Sequence, residues 1–144
     1  MTPPFPPAAF LHLAQQLVAQ VEPSSPEMRE ARVRTALGRT YYALYLLVRA
    51  EIMRRHGIPL RRLQHGVVYT RLQSSVASEE VRRVGRMLEW LYALRQKADY
   101  EPAADPAWRG RLEDPVGAGE LAVSALAIAA KLPKLDFSAV APLF

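Results

Sequence analysis

Arg95 and Asp99 stand four residues apart in the segment LRQKADYEP and share one face of any helix that runs through it. The plain reading is a local ion pair. Two features argue for more: an acid C-terminal to its base is the poorer i,i+4 orientation, and an Asp in a last helical turn opposes the helix dipole. A carboxylate in that place calls for a second cation from elsewhere in the fold, and Arg39 is the candidate. Tyr100 comes next. At roughly 100° per residue it lies about 140° around the helix from Arg95, so it reaches the same pocket only if the helix end unwinds. His65, preceded by Arg61, Arg62 and Gln64, stands at an expected helix start. The positive end of a helix disfavours protonation, which leaves the imidazole neutral and able to act as a base; the competing reading is a capping or packing histidine. His12 and His56 have no polar partners nearby in sequence and read as structural.

Other chemistries find little support. The chain has 144 residues and no cysteine, which removes disulfides, Cys-ligated zinc, iron–sulfur clusters and thiol catalysis. Its three histidines do not pair at metal-ligand spacing, so no metal and no other cofactor is expected. Gly117-Ala118-Gly119 is a lone GxG; Ala122 occupies the third glycine position and no strand precedes it, so helix-start flexibility outweighs nucleotide binding. No P-loop or nucleophile elbow is present.

The elements that must position these side chains are helical. Half the residues are apolar, enough for one core in one domain spanning 1–144. After a Pro-rich tail (1–7), a first helix runs from about Ala8 to Val21, with Phe10, Leu13, Leu17, Val18 and Val21 in one stripe, and Pro23 and Pro26 end it. Ser25 then caps a long helix from Pro26 to His56, which Gly57 and Pro59 stop. Within it, Tyr41 to Val48 has no charged side chain, so Tyr41, Tyr42 and Tyr45 belong to a core or to a dimer face. A third helix runs from about His65 to Val76. Ser78 caps a fourth, with Val81, Val84, Leu88, Leu91, Tyr92 and Leu94 inward, ending near Asp99 or Tyr100 before Pro102. Residues 101–114 read as an irregular loop pinned by Trp108. Asp114 caps a last helix that reaches about Leu132, and 133–144 form an extended tail. The class is all-α, a bundle of four to five helices.

Charge is unevenly spread. From Arg29 to Arg95 there are 14 Arg against 5 acidic residues, a local +9, while the whole chain is +5. A basic middle with acidic flanks fits a polyanion such as RNA; an Arg-rich composition on solvated helix faces explains it equally well. The segment MTPPFPPAAF lacks a basic n-region and is broken by proline, unlike a signal peptide. The longest nearly apolar stretch, Leu121 to Ala130, falls short of the roughly 20 residues that span a bilayer. The expectation is a cytoplasmic protein without a membrane partner.

Three segments together, GRTYYALYLLVRAEIMRRHG, QHGVVYTRL and LEWLYALRQKADYEP, resemble the HEPN superfamily of small all-α domains, in particular its UPF0332-like branch. The match covers about Arg34 to Glu101. The resemblance implies a two-fold homodimer with a shared cleft, and a place in toxin–antitoxin-type systems beside a minimal nucleotidyltransferase. Many of the family are metal-independent endoribonucleases with an R-x4–6-H signature; others bind RNA or nucleotides without known chemistry. The signature arginine matches Arg95. Its histidine has no counterpart: Tyr100 stands five residues on, and no His follows. Cleavage by a 2′-hydroxyl needs a proton acceptor, a proton donor and a cation for the phosphorane. In that scheme Arg95 stabilises charge, His65 is base or acid, Tyr100 orients the phosphate and Asp99 holds Arg95. Arg39, Arg61 and Arg62 are the candidate RNA- or phosphate-binding residues. The alternative is a non-catalytic dimeric module that binds a nucleotidyltransferase partner or a nucleotide.

Overall fold

The computed structural model describes residues 5–19, 25–101, 103 and 105–140. Among them are six α-helices: α1 (Ala8–Ala19), α2 (Pro26–His56), α3 (His65–Gln73), α4 (Glu79–Tyr100), α5 (Pro106–Leu112) and α6 (Pro115–Lys131). Single 3₁₀ turns at Leu60–Arg62 and Leu132–Lys134 complete the regular structure, and no strand occurs among the described residues.

α2 is the axis of the bundle. The Ser25 side chain accepts from the Met28 N–H, Pro26 opens the first turn, and Gly57 closes the helix at φ 64°, a conformation that glycine adopts without Cβ strain. Tyr41, Ala43, Leu44, Val48 and Ile52 are fully buried, so most of the uncharged run is monomer core, while Tyr42, Leu46 and Leu47 are only partly buried. α4 lays Val81, Val84, Leu88, Leu91 and Leu94 against it, each such burial contributing about 1.5–3 kcal/mol. Ala14, Ala36 and Ala122 form a small-residue contact where α1, α2 and α6 meet.

Two arginines of α2 terminate neighbouring helices. Arg34 Nη1 donates to the carbonyls of Lys97, Ala98 and Glu101 at 3.1, 2.9 and 3.1 Å, capping α4. Because the end of α4 meets the first half of α2, the two helices are antiparallel. Arg55 donates to the carbonyls of Leu132, Pro133 and Leu135 at 2.9, 2.7 and 2.6 Å, and its guanidinium lies 4.9 Å from the centre of the Phe137 ring. His56 Nε2 bonds the Phe137 carbonyl at 2.9 Å. Burial alone would raise the Glu51 carboxyl, but hydrogen bonds from Arg54 and Arg55 hold it below the usual carboxylate value.

Several expectations need correction. Residues 101–114 are not all loop: Asp105 accepts from the Ala107 N–H and opens α5, which Pro106 starts. This is the same Asp–Pro signal that opens α6 at Asp114. Trp108 does pin this region, stacking on Trp90 at 5.5 Å. The 133–144 tail is not a simple extended segment over its described part: it starts in the Leu132–Lys134 3₁₀ turn, turns again at 138–140, and buries Phe137 and Val140 in the core. α3 stops at Gln73, three residues short of Val76. On α1, Leu11 and Ala14 take the core and Leu13 is 40% exposed. Val21, Pro23 and Pro102 lie outside the described residues. The 20-residue Pro115–Lys134 stretch reaches mean hydropathy 1.4 over an 18-residue window, long and apolar enough to cross a membrane by length and composition, a weak signal that the shorter Leu121–Ala130 run does not give. In the bundle, α6 packs Ala118, Ala122 and Ala125 inward and exposes Val116 and Val123.

Two of the glycines differ instructively. A Cβ on Gly85 would lie 2.9 Å from Tyr69 O, Gln73 N and Leu72 Cβ, so Gly85 lets α3 and α4 touch. A Cβ on Gly38 would meet only Asp99 Oδ1 at 3.6 Å and Oδ2 at 4.0 Å, an ordinary contact. Gly85→Ala should therefore lower the urea midpoint, while Gly38→Ala should leave it unchanged or raise stability by about 0.5–1 kcal/mol. Arg55→Met should destabilise by about 2–3 kcal/mol and raise amide exchange at residues 135–140. Arg54→Ala, whose side chain is 64% exposed, should stay within about 0.5–1 kcal/mol by the same measurement.

Candidate functional site

The site forms where α2 faces the end of α4, with the start of α3 beside it. α2 presents Thr35, Gly38, Arg39 and Tyr42 at helical spacing, α4 brings Arg95, Asp99 and Tyr100, and α3 begins at His65. Arg95 is the hub. Its Nε donates to Asp99 Oδ2 at 3.0 Å, and its Nη2 donates to Tyr42 Oη and, at 3.3 Å, to Tyr100 Oη. Its guanidinium also lies 4.7 Å from the Tyr42 ring centre and 5.4 Å from that of Tyr100. The Arg95 side chain is 12% exposed and that of Asp99 38%, so the cation is held beneath a partly open carboxylate. Tyr100 reaches Arg95 with the helix intact, without the unwinding expected from the 140° offset, because an arginine is long enough to cross that angle.

His65 joins the same cluster from behind. Its Nδ1 is hydrogen-bonded to Tyr41 Oη, and its ring stacks on Tyr45 at 4.2 Å, with Tyr42 at 6.0 Å and Tyr92 at 5.9 Å. Burial lowers its pKa from the ordinary 6.5, and the Arg95 and Arg49 charges lower it further. The neutral state expected from a helix start is thus produced mainly by burial. Tyr41 moves the other way: burial raises its phenol well above 10, Tyr45 and Tyr92 add to this, and Arg95 opposes it. Tyr41 is fully buried, and His65 Nδ1 is its one hydrogen-bond partner among the described residues. If His65 donated, the Tyr41 hydroxyl proton would have no acceptor, so Tyr41 donates and Nδ1 accepts. The imidazole then carries its proton on Nε2. At neutral pH the ring is then a donor through Nε2, and its basic lone pair is occupied.

The remaining expected residues divide. Arg39 lines a cleft of about 270 Å³ with Thr35, Gly38, Tyr42 and Asp99. It is not the second cation for Asp99: its guanidinium stacks on Phe10, 5.1 Å from the ring centre. Arg61 and Arg62 sit exposed in the 3₁₀ turn before α3 and make no hydrogen bond or ion pair with the Arg95 cluster among the described residues. Tyr45 donates to the Leu63 carbonyl and carries Arg49 5.4 Å from its ring centre. Arg49 was missed in the sequence, although it stands four residues after Tyr45. Thr35 and Gly38 were missed too; their 3, 4 and 7 spacing with Tyr42 is the signal used for apolar stripes, here applied to a polar face. The Gly117–Gly119 pair serves packing: Gly117 donates to the capping Asp114 at 2.9 Å, and Gly119 abuts Val18. Among the described residues no group of three His, Asp or Glu side chains gathers as a metal site.

No family model, no curated protein and no solved structure matches this chain.

The titrations give a pH window with a definite sign. Unfolded His65 binds its proton near 6.5 and folded His65 at lower pH, so stability should fall as pH drops below about 6.5. Unfolded Tyr41 ionises near 10 while the folded phenol stays neutral, so stability should also fall above pH 10. Two-dimensional NMR of the imidazole should show His65 titrating below 6.5, and Arg95→Gln should move that value upward. A His65 that titrates unshifted in the parent would contradict the assignment.

Proposed function

We propose that this chain is an RNA-directed protein of the HEPN type, with its working surface around Arg95. The observation that carries the reading is the single cluster formed by Arg95, Tyr42, Asp99 and Tyr100, with His65 directly behind it. A cation framed by aromatic rings and hydroxyl groups, with the exposed Arg39 beside it, suits a phosphate backbone with an unpaired base. Tyr100, which takes the place of the signature histidine, is 63% exposed and available for such a contact.

Within this reading the geometry favours binding over cleavage. A 2′-hydroxyl needs a proton acceptor, and the acceptor expected at His65 is taken by Tyr41. The homodimer that accompanies the HEPN resemblance would find only Tyr42, Leu46 and Leu47 of the Tyr41–Val48 run partly exposed, since Tyr41, Leu44, Tyr45 and Val48 are buried in the monomer core. A nucleotidyltransferase partner belongs to the same proposal and rests on the resemblance alone.

Purified protein incubated with mixed cellular RNA, with chelator present, tests this directly. RNA should be retained with an affinity that falls steeply with salt, and it should stay intact. Arg95→Ala should keep a cooperative melt and bind about tenfold more weakly. Metal-independent cleavage by the parent and not by Arg95→Ala would replace the binding reading with a ribonuclease. Absence of retention at low salt would remove RNA as the target.

A further inference from the structure

The cleft between α2 and α4 contains a mid-helix glycine that packing does not require. Gly38 is buried at the middle of a 31-residue helix, where glycine is intrinsically poorer than alanine. Gly85 has a steric reason to be glycine and Gly38 has none, since its only close neighbours are the Asp99 carboxylate oxygens at 3.6 and 4.0 Å. What the missing side chain leaves is space in front of Asp99. Asp99 Oδ2 takes the Arg95 Nε–H, while Oδ1 has no hydrogen-bond partner among the described residues and faces the gap over Gly38. The walls are Thr35, Arg39 and Tyr42, and the volume is about 270 Å³. That lies just below the roughly 300–1,000 Å³ of drug-sized sites, room for one base and not for a dinucleotide.

We propose that this cleft is a subsite for a single unpaired guanine nucleotide, with Asp99 accepting from the base and Arg39 holding a phosphate. An ionised carboxylate accepts hydrogen bonds and cannot donate. Of the four RNA bases, guanine alone sets two N–H donors, N1–H and the 2-amino group, side by side on its Watson–Crick edge. Adenine and cytosine offer one amino group beside a ring-nitrogen acceptor, and uracil offers one N–H between two carbonyls; each places a repelling lone pair toward the carboxylate. The ion pair with Arg95 fixes the carboxylate plane, and Arg39 with Arg95 leaves the cleft net positive despite Asp99, which suits the attached phosphate. Tyr42 supplies an aromatic wall. The choice of nucleic acid rests on the RNA reading of the Arg95 cluster; the choice of base rests on Asp99 and Gly38.

The test is fluorescence anisotropy at low salt, with chelator, on unstructured oligouridine carrying one central G, A, C or U. The parent should bind the G oligonucleotide at least about fivefold tighter than the other three, the lower end of a good bidentate contact. Asp99→Asn should reduce that ratio to within about twofold, because an amide brings a donor against guanine's donors. Gly38→Leu should do the same by filling the cleft, and its thermal melt shows whether it is folded. Equal affinity for all four oligonucleotides, or a G preference that survives Asp99→Asn, would overturn the subsite and leave the RNA reading standing. If no oligonucleotide binds, the RNA reading falls, and NMR titration with GMP and AMP decides the cleft alone. Shifts at Gly38 and Asp99 with GMP and not AMP would uphold it, and their absence would overturn it.

Discussion

The C-terminal carbonyls of α4, and those that follow α6, must be satisfied inside a bundle too small to leave them all to water, and arginines of α2 meet that demand. Arg34 collects three carbonyls at the end of α4, and Arg55 collects three just beyond α6. The two stand about 31 Å apart along one helix, so a single rigid element sets the positions of both ends. Orphan carbonyls in the last turn of a helix are a fixed property of the α-helix, and positive charge is favoured there by the dipole. The candidate site is a consequence. Arg34 grips the backbone at Lys97, Ala98 and Glu101, which straddles Asp99 and Tyr100 and holds them opposite Gly38 and Tyr42.

The same structure alters the meaning of the arginine excess. Of the 14 arginines between Arg29 and Arg95, many are occupied inside the fold. Arg34 and Arg55 cap helix ends, Arg54 joins Glu51, and Arg82, Arg83 and Arg86 gather on Glu79. Part of the local +9 is therefore engaged within the fold. What faces the site is smaller: Arg39 on Phe10, Arg49 on Tyr45 and Arg95 on Tyr42. Each of these pairs a cation with an aromatic face, which anchors the guanidinium without neutralising it.

The tyrosine cluster links core and site. Tyr41 is wholly buried, and its hydroxyl has to find an acceptor; the one in reach is His65 Nδ1. A packing requirement thereby decides the tautomer of the histidine that the sequence offered as a base. Donor groups collect around Arg95, and the free acceptor among the expected site residues is an Asp99 oxygen. This set of groups underlies the proposal of a ligand that combines negative charge with hydrogen-bond donors.

The helices were legible because their ends are local. Ser25, Ser78 and Asp114 each cap a backbone N–H three residues on, and Gly57 takes the left-handed conformation that stops α2; no distant residue is involved. The Arg95–Asp99 pair was legible for the same reason, being four residues apart on one helix. α5 carries the same local signal in Asp105 and Pro106, but its seven residues hold too little periodicity to mark a helix by pattern. The burial of Phe137 and Val140 was not readable, since it depends on Arg55 and His56 about 80 residues earlier. Nor were the convergence of His65 with Arg95, the engagement of its lone pair by Tyr41, or the gap that Gly38 opens before Asp99. Sequence by itself determined an all-α chain, its main helix ends and one ion pair, because these follow from interactions within a turn or two. Only the tertiary structure decided which arginines are spent on carbonyls and which face the cleft, because that turns on which helix end each long side chain can reach.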